Sequence, residues 1–313
     1  MSDAKNHHYV PQAYLRSFAD SNERLWAFNK DSRTSFPATI RNVGSETHFY
    51  TSDSMGEVMG DRLFVEKELG ADEGKFAAVL RELMRGIEGR GQWRLRLPHR
   101  HFLARYIALQ FMRTREHRIK QKEMVVTLGS FMEKWFKTHG HEVPADVREG
   151  LGDPEAMAAE LQKQMLVNKS VVQGNAAILF RHIWLFFRPL KGCRFLTSDN
   201  PVVLAAHIDR PNRGVGIGTH GVEICFPLSP TLLVSLCERT AFREFAGLDG
   251  TLKRFDSPEN LVWVNCHQIM NSTRMVFSDV NDFSLVEEVL ADHPSVGDVA
   301  RRRLRSNQDP GSA

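Results

Sequence analysis

The sequence predicts an α+β fold, with a helical central region packed on a small antiparallel or mixed sheet. Three observations predict it. Short alternating apolar runs lie near the N-terminus, apolar residues recur at helical spacing through about residues 57–190, and short strand-like runs return in the last third. With 313 residues, 42% of them hydrophobic and 25% charged, the chain can bury a large core without disulfides. Residues 1–295 read as a single domain and 296–313 as a disordered basic tail.

The N-terminal run His7-His8-Tyr9-Val10-Pro11-Gln12-Ala13-Tyr14-Leu15-Arg16-Ser17-Phe18 is the densest window of site chemistry. Pro11 suits a helix start, which puts Tyr14, Leu15 and Phe18 on one face and leaves the histidines just ahead of it. Arg24 to Lys30 alternates as a buried strand ending in the turn Asn29-Lys30-Asp31-Ser32, a second strand follows within Ser35 to Val43, and Gly44 to Gly56 reads as a polar connection.

Phe76, Val79, Leu80, Leu83, Met84 and Ile87 mark an amphipathic helix that Gly89-Arg90-Gly91 stops. Pro98 opens a second helix, in which Arg105, Gln110 and Arg113 are interleaved with the apolar stripe. Gly140 to Asp153 reads as a loop, and Asp153-Pro154 as the cap and first turn of a helix reaching about Val167. Val171 to Phe187 is apolar nearly all round and reads as one central helix.

Strands are expected at Arg194 to Thr197, Val202 to Ala205, Val222 to Phe226, Leu232 to Leu236 and Arg274 to Phe277. The glycine-rich stretch 214–221 reads as an inter-strand loop, because it lacks the lysine of a phosphate-binding loop. Pro258 starts a last long helix carrying Leu261, Val262, Val264 and Ile269.

A net charge of +3, from 41 basic and 38 acidic residues, is too balanced to announce a nucleic-acid partner by itself. Local clusters at Arg90 to Arg118 and Arg301 to Arg305 are the places where phosphate contact is to be sought. Cys193, Cys225, Cys237 and Cys266 have no paired spacing, so a reduced cytoplasmic setting is expected. No apolar run reaches the length of a membrane span, and the first eight residues lack a secretory core segment.

Paired imidazoles suit two tasks near neutral pH, metal ligation and proton abstraction. The string His-His-aromatic-Val-Pro is similar to one found in some one-metal nucleases of the HNH type, where one histidine holds a divalent ion and another deprotonates water. The other reading of His7 and His8 is a helix cap or core hydrogen bond beside an exposed ring. Asp199, in Thr197-Ser198-Asp199-Asn200-Pro201-Val202, ends a strand and serves either a cation or an Asx turn. Asn265, with Gln268 on the same helix face, either satisfies buried backbone groups or meets a ligand.

Together with Phe226-Pro227-Leu228-Ser229-Pro230 and the Asn265 helix, these motifs resemble a large bacterial and fungal family known only as a domain of unknown function. The resemblance implies that His7, His8, Asp199 and Asn265 converge in one domain. Members of that family usually carry a bulkier aromatic where this chain has Ala13.

The expected activity is that of a divalent-metal-dependent phosphodiesterase or nuclease. His8 is the base, His7 and Asp199 hold Mg²⁺, Mn²⁺ or Zn²⁺, and Gln12, Arg16, Arg105, Gln110, Arg113, Asn200 and Asn265 contact the substrate, nucleic acid being the expected partner. The rival expectation is a non-catalytic ligand-binding or regulatory module using the same polar groups.

Overall fold

The computed structural model describes residues 6–52, 60–89, 92–208 and 214–304. The expected α+β class holds, with helices packed against small antiparallel and mixed sheets. Among the described residues the strands form a two-stranded ribbon and two larger sheets, and the N-terminal strand pair belongs to one of the larger sheets rather than standing alone.

The opening motif forms β1 (Asn6–His8) and the short α1 (Gln12–Leu15), which begins directly after Pro11. β1 pairs antiparallel with β4 (Ser45–Thr47). β2 (Arg24–Asn29) pairs antiparallel with β3 (Thr34–Thr39), as the alternation predicts.

The helical middle contains α2 (Phe64–Glu88), α3 (Leu97–Arg113), α4 (Arg115–Thr138), α5 (Ala145–Gly152), α6 (Pro154–Val167) and α7 (Lys169–Arg181). The stretch read as a loop from Gly140 to Asp153 thus contains a helix, α5. Asp153 caps α6 as expected, its carboxylate accepting the N–H groups of Glu155 and Ala156.

The apolar segment read as one helix to Phe187 breaks at His182, and Ile183–Arg188 is strand β5. A buried run of that length does not distinguish helix from strand by periodicity, and its β-branched and aromatic content decides for the strand.

Strands β6 (Thr197–Ser198), β7 (Val203–Ala206), β8 (Val222–Ser229), β9 (Leu232–Cys237), β10 (Thr251–Arg254) and β11 (Met275–Ser278) complete the sheets around α8 (Pro258–Asn271) and α9 (Ser284–Asp292). One sheet has the order β10-β5-β9-β8-β7 and is mixed, because β10 runs parallel to β5. The other has the antiparallel order β3-β2-β11-β6. Of the expected Arg194 to Thr197 strand only Thr197 joins a ladder, together with the following Ser198. Arg90, Gly91 and residues 53–56 of the expected polar connection lie outside the described residues. None of the helices is long and apolar enough to cross a membrane among the described residues.

The motif is tied into the core by α1. Tyr14 is fully buried, and its hydroxyl donates to the Pro227 carbonyl at 2.6 Å and lies 2.7 Å from Thr197 Oγ1. Ser17 Oγ donates to the Leu228 carbonyl at 2.7 Å.

Asp199 closes the antiparallel sheet. Its buried carboxylate accepts the backbone N–H groups of Thr273, Arg274 and Met275 at 2.7, 2.7 and 2.8 Å, fixing the entry to β11. Burial pushes this carboxyl up, against those three N–H groups and Lys30, which favour its charged form. Asp199→Ala leaves three buried donors without an acceptor and is expected to cost about 3–5 kcal/mol. Urea denaturation measures the loss, and Asp199→Asn, which keeps one acceptor oxygen, should recover part of it.

The tail read as disordered from residue 296 is ordered as far as Leu304, where the described residues end. Val296 is buried, Arg301 Nη2 donates to the Ser272 carbonyl at 2.7 Å, and the Arg303 guanidinium is buried against Glu116 on α4. The backbone N–H groups of Arg303 and Leu304 both donate to Glu123. Acidic partners on α4 offset the burial of these arginines, which composition alone cannot foresee. Arg305 lies beyond the described residues.

Candidate functional site

Helices α2 and α3 meet through an apolar stripe in which Phe76 stacks on Tyr106 at 4.2 Å between ring centres. Polar side chains interrupt that stripe. From α2 come Glu66 and Glu73, seven residues apart and so on one helical face. From α3 come Tyr106, Gln110 and Arg113, at the i, i+4, i+7 positions of another. His8 and Gln12 reach the same region from the opening motif.

Arg113 is the hub. It is buried, with Nη1 2.9 Å from Glu73 Oε1 and Nη2 donating to the His8 carbonyl at 2.5 Å. Gln110 Nε2 donates to the Tyr9 carbonyl at 3.2 Å, and Tyr50 Oη donates to the Arg113 carbonyl at 2.7 Å. Two side chains of α3 thereby grip the backbone of the motif at consecutive residues, holding the His8 ring in place. The Gln12 amide lies 3.5 Å from His8 Nδ1.

Five members of the cluster still have a polar atom that their neighbours do not satisfy. His8 Nε2, Glu66 Oε2, Tyr106 Oη, Gln110 Oε1 and Arg113 Nε are buried without a hydrogen-bond partner in the protein, five of nine such side-chain atoms among the described residues. An unpaired buried polar atom costs about 1–3 kcal/mol, so a concentration of them in one place signals binding or chemistry rather than stability.

The electrostatics agree. Burial raises the Glu66 carboxyl to about 7, with Glu73 adding to the shift and Arg113 opposing it. Burial also lowers His8 below the ordinary histidine value, reinforced by Arg113 and opposed by Glu73 and the Ile40 and Arg41 carbonyls. Burial works against the charge of Arg113, but Tyr50 and Glu73 outweigh it and the guanidinium stays charged. At neutral pH, therefore, His8 is largely uncharged, Glu66 is close to half-protonated, and the Arg113–Glu73 pair balances itself.

Of the side chains singled out from the sequence, His8, Gln12, Gln110 and Arg113 come together here. His7 does not join them, because successive residues of a strand face opposite ways. Its buried ring turns toward Tyr50, stacks on it at 6.1 Å, and accepts the Tyr50 N–H at Nδ1 at 2.9 Å. Asn265 accepts the Leu196 N–H and donates to the Arg194 carbonyl, bracing the strand region ahead of β6. Asn200 accepts from Thr114 Oγ1 and donates to the Asn271 carbonyl. Arg105 pairs with Asp72, and Arg16 with Glu23 at the surface.

Two groups expected to hold a divalent ion are engaged within the fold. Nδ1 of His7 and the carboxylate of Asp199 are occupied by backbone N–H groups, and no three His, Cys, Asp or Glu side chains are placed to hold an ion among the described residues. Four arginines of the Arg90 to Arg118 stretch are likewise turned to partners within the chain: Arg100 to Asp249, Arg113 to Glu73, Arg115 to Glu46 and Arg118 to Gln162.

Sequence reading passed over Glu66, Glu73 and Tyr106. A signal was present for Glu73, an acid four residues after Leu69 and three before Phe76 and so on the buried stripe of its helix.

No curated protein and no solved structure matches the chain. A family model described as a protein of unknown function (DUF4238) matches residues 6–282. That span runs from β1 past β11 and takes in every member of the cluster, so the chain belongs to the DUF4238 family.

Proposed function

We propose that the His8–Glu66–Arg113 cluster is the acid–base centre of a hydrolase acting on a small, uncharged acyl substrate, an ester or an amide. The observation that carries this reading is the convergence of five unpaired buried polar atoms around one balanced ion pair. Neutral His8 takes a proton from water through Nε2, and the resulting hydroxide adds to the acyl carbon. The oxygen that gains charge is met by Arg113 Nε–H and Tyr106 Oη–H. As the acyl bond breaks, the Glu66 carboxyl gives its proton to the leaving group, and the proton held by His8 is returned to Glu66 or to solvent.

Gln110 Oε1 is left to orient a donor on the substrate. Gln12 Nε2 lies 3.5 Å from His8 Nδ1, and a turn of the amide that brings its carbonyl to Nδ1–H selects the tautomer whose Nε2 lone pair is free for proton abstraction. Because Arg113 and Glu73 neutralise each other and Glu66 is half-protonated, the centre has no surplus positive charge with which to attract a polyanion. That balance favours an acyl substrate over a nucleic acid. We place the reaction in the cytoplasm, where four free thiols are stable. A divalent-metal phosphodiesterase reading rests on the His7-His8-Tyr9-Val10-Pro11 string together with Asp199.

The test is hydrolysis of a nitrophenyl acetate, a nitroanilide and a bis(nitrophenyl) phosphate, each with chelator and with Mg²⁺, Mn²⁺ or Zn²⁺. Ester or amide turnover that withstands chelator and falls roughly 10²–10⁴-fold in His8→Ala is the expected result. Cleavage confined to the phosphodiester and dependent on metal would restore the nuclease reading. Turnover of none of them, or turnover indifferent to His8, would leave a ligand-binding module.

A further inference from the structure

A second feature lies on the other side of α1. A cleft of about 600 Å³ opens between α1 with its following turn, the C-terminal half of α2, the β8–β9 turn and Arg194 with Asp279. Its floor is apolar, formed by Ala13, Phe18, Leu80 and Met84. Its rim carries Arg16, Arg81, Arg85 and Arg194.

Those arginines are unequal. Arg16 is paired with Glu23 and Arg194 with Asp279, at 2.7 and 3.0 Å. The guanidinium groups of Arg81 and Arg85 have neither an ion pair nor a hydrogen bond among the described residues. They stand one helical turn apart, a like-charge arrangement that opposes helix formation unless an anion lies between them. On the facing wall Asp279 Oδ1 is buried and unpaired, while Ser229 and Thr231 present hydroxyls.

An apolar floor beneath two unpaired guanidiniums suits a ligand with a hydrocarbon body and an anionic head, since a planar carboxylate matches the guanidinium fork. Asp279 and Glu88 line the same cleft and repel a multiply charged head, so the head is a monoanion. We propose that this cleft binds a small amphiphilic carboxylate, its head on Arg81 and Arg85 and its apolar body over Ala13, Leu80 and Met84. The site is separate from the acid–base cluster: α1 presents Gln12 to one, α1 and its following turn present Ala13 and Arg16 to the other, and α2 presents Glu66 and Glu73 to one and Arg81 and Arg85 to the other.

Calorimetric titration of the full chain with dodecanoate, and separately with dodecanol, tests the proposal. Saturable binding of one dodecanoate per chain is expected, with dodecanol weaker by roughly tenfold or more. Arg81→Ala combined with Arg85→Ala, both surface changes, should weaken dodecanoate to the dodecanol level, and Ala13→Trp should abolish binding by filling the floor while circular dichroism stays unchanged. No saturable dodecanoate binding, equal affinity for acid and alcohol, or binding untouched by the double arginine change would overturn it. Loss or survival of hydrolytic activity in these variants does not enter the judgement, so the two proposals stand or fall separately.

Discussion

Arg113→Met should destabilise the protein by about 3–5 kcal/mol, the usual cost of removing one partner from a buried ion pair. Urea denaturation with a matched slope would measure it. Arg113 holds the His8 carbonyl and Glu73 together, so the variant strands a carboxylate and releases the strand that carries the base. Pairing it with Glu73→Leu should recover much of the stability and none of the activity, because the carboxylate is then no longer unpaired while the histidine is still unheld. Full activity in the single variant would mean that the Arg113–His8 contact positions nothing.

Glu66→Gln has the second large effect, and its two parts have opposite signs. As the proton donor, Glu66 must be protonated, a form lost above about 7, whereas His8 must be neutral, a form lost below its lowered value. Activity should therefore rise with pH through the histidine's range, peak in a narrow window and fall as pH passes about 7. Glutamine cannot deliver the proton, so kcat should fall roughly 10²–10⁴-fold and the alkaline limb should disappear from whatever activity is left.

Stability should move the other way. A carboxyl raised on folding binds more protons in the folded chain than in the unfolded one between the unfolded value and about 7, so wild-type stability declines as pH rises across that interval. Glu66→Gln removes the decline and should leave the variant more stable than wild type by about 1–3 kcal/mol at pH near 8. A variant that loses both activity and stability would instead make Glu66 a structural residue.

The elements of this fold were legible where one period ran unbroken. The strand pair at residues 24–39, the two long helices around Gly89 and the Asp153 cap follow from spacing and capping chemistry. Where a run was apolar on every side, as at Ile183 to Phe187, period carried no information. Long-range pairing was likewise invisible, since nothing local in Arg24–Asn29 marks it as the neighbour of Met275–Ser278.

The candidate site was half legible. His8, Gln12, Gln110 and Arg113 stood out as chemistry-bearing residues in or beside apolar stripes, but the two adjacent histidines looked equivalent until β1 turned them to opposite faces. Asp199 looked like a ligand because a strand-end carboxylate bound to backbone N–H groups has the same one-dimensional signature as one awaiting a cation.

That Asp199 clasp has a consequence for how the chain is made. β2 is bordered on one side by β3, its immediate successor, but on the other by β11, almost 250 positions later in synthesis, and α1 is anchored to carbonyls at 227 and 228. The opening motif therefore leaves the ribosome long before its partners exist, and its Tyr14 lacks Phe226 and the Pro227 carbonyl until β8 arrives. Folding should be slow and late, and nascent chains halted before residue 275 should be unable to complete the antiparallel sheet, whatever helical structure they already hold.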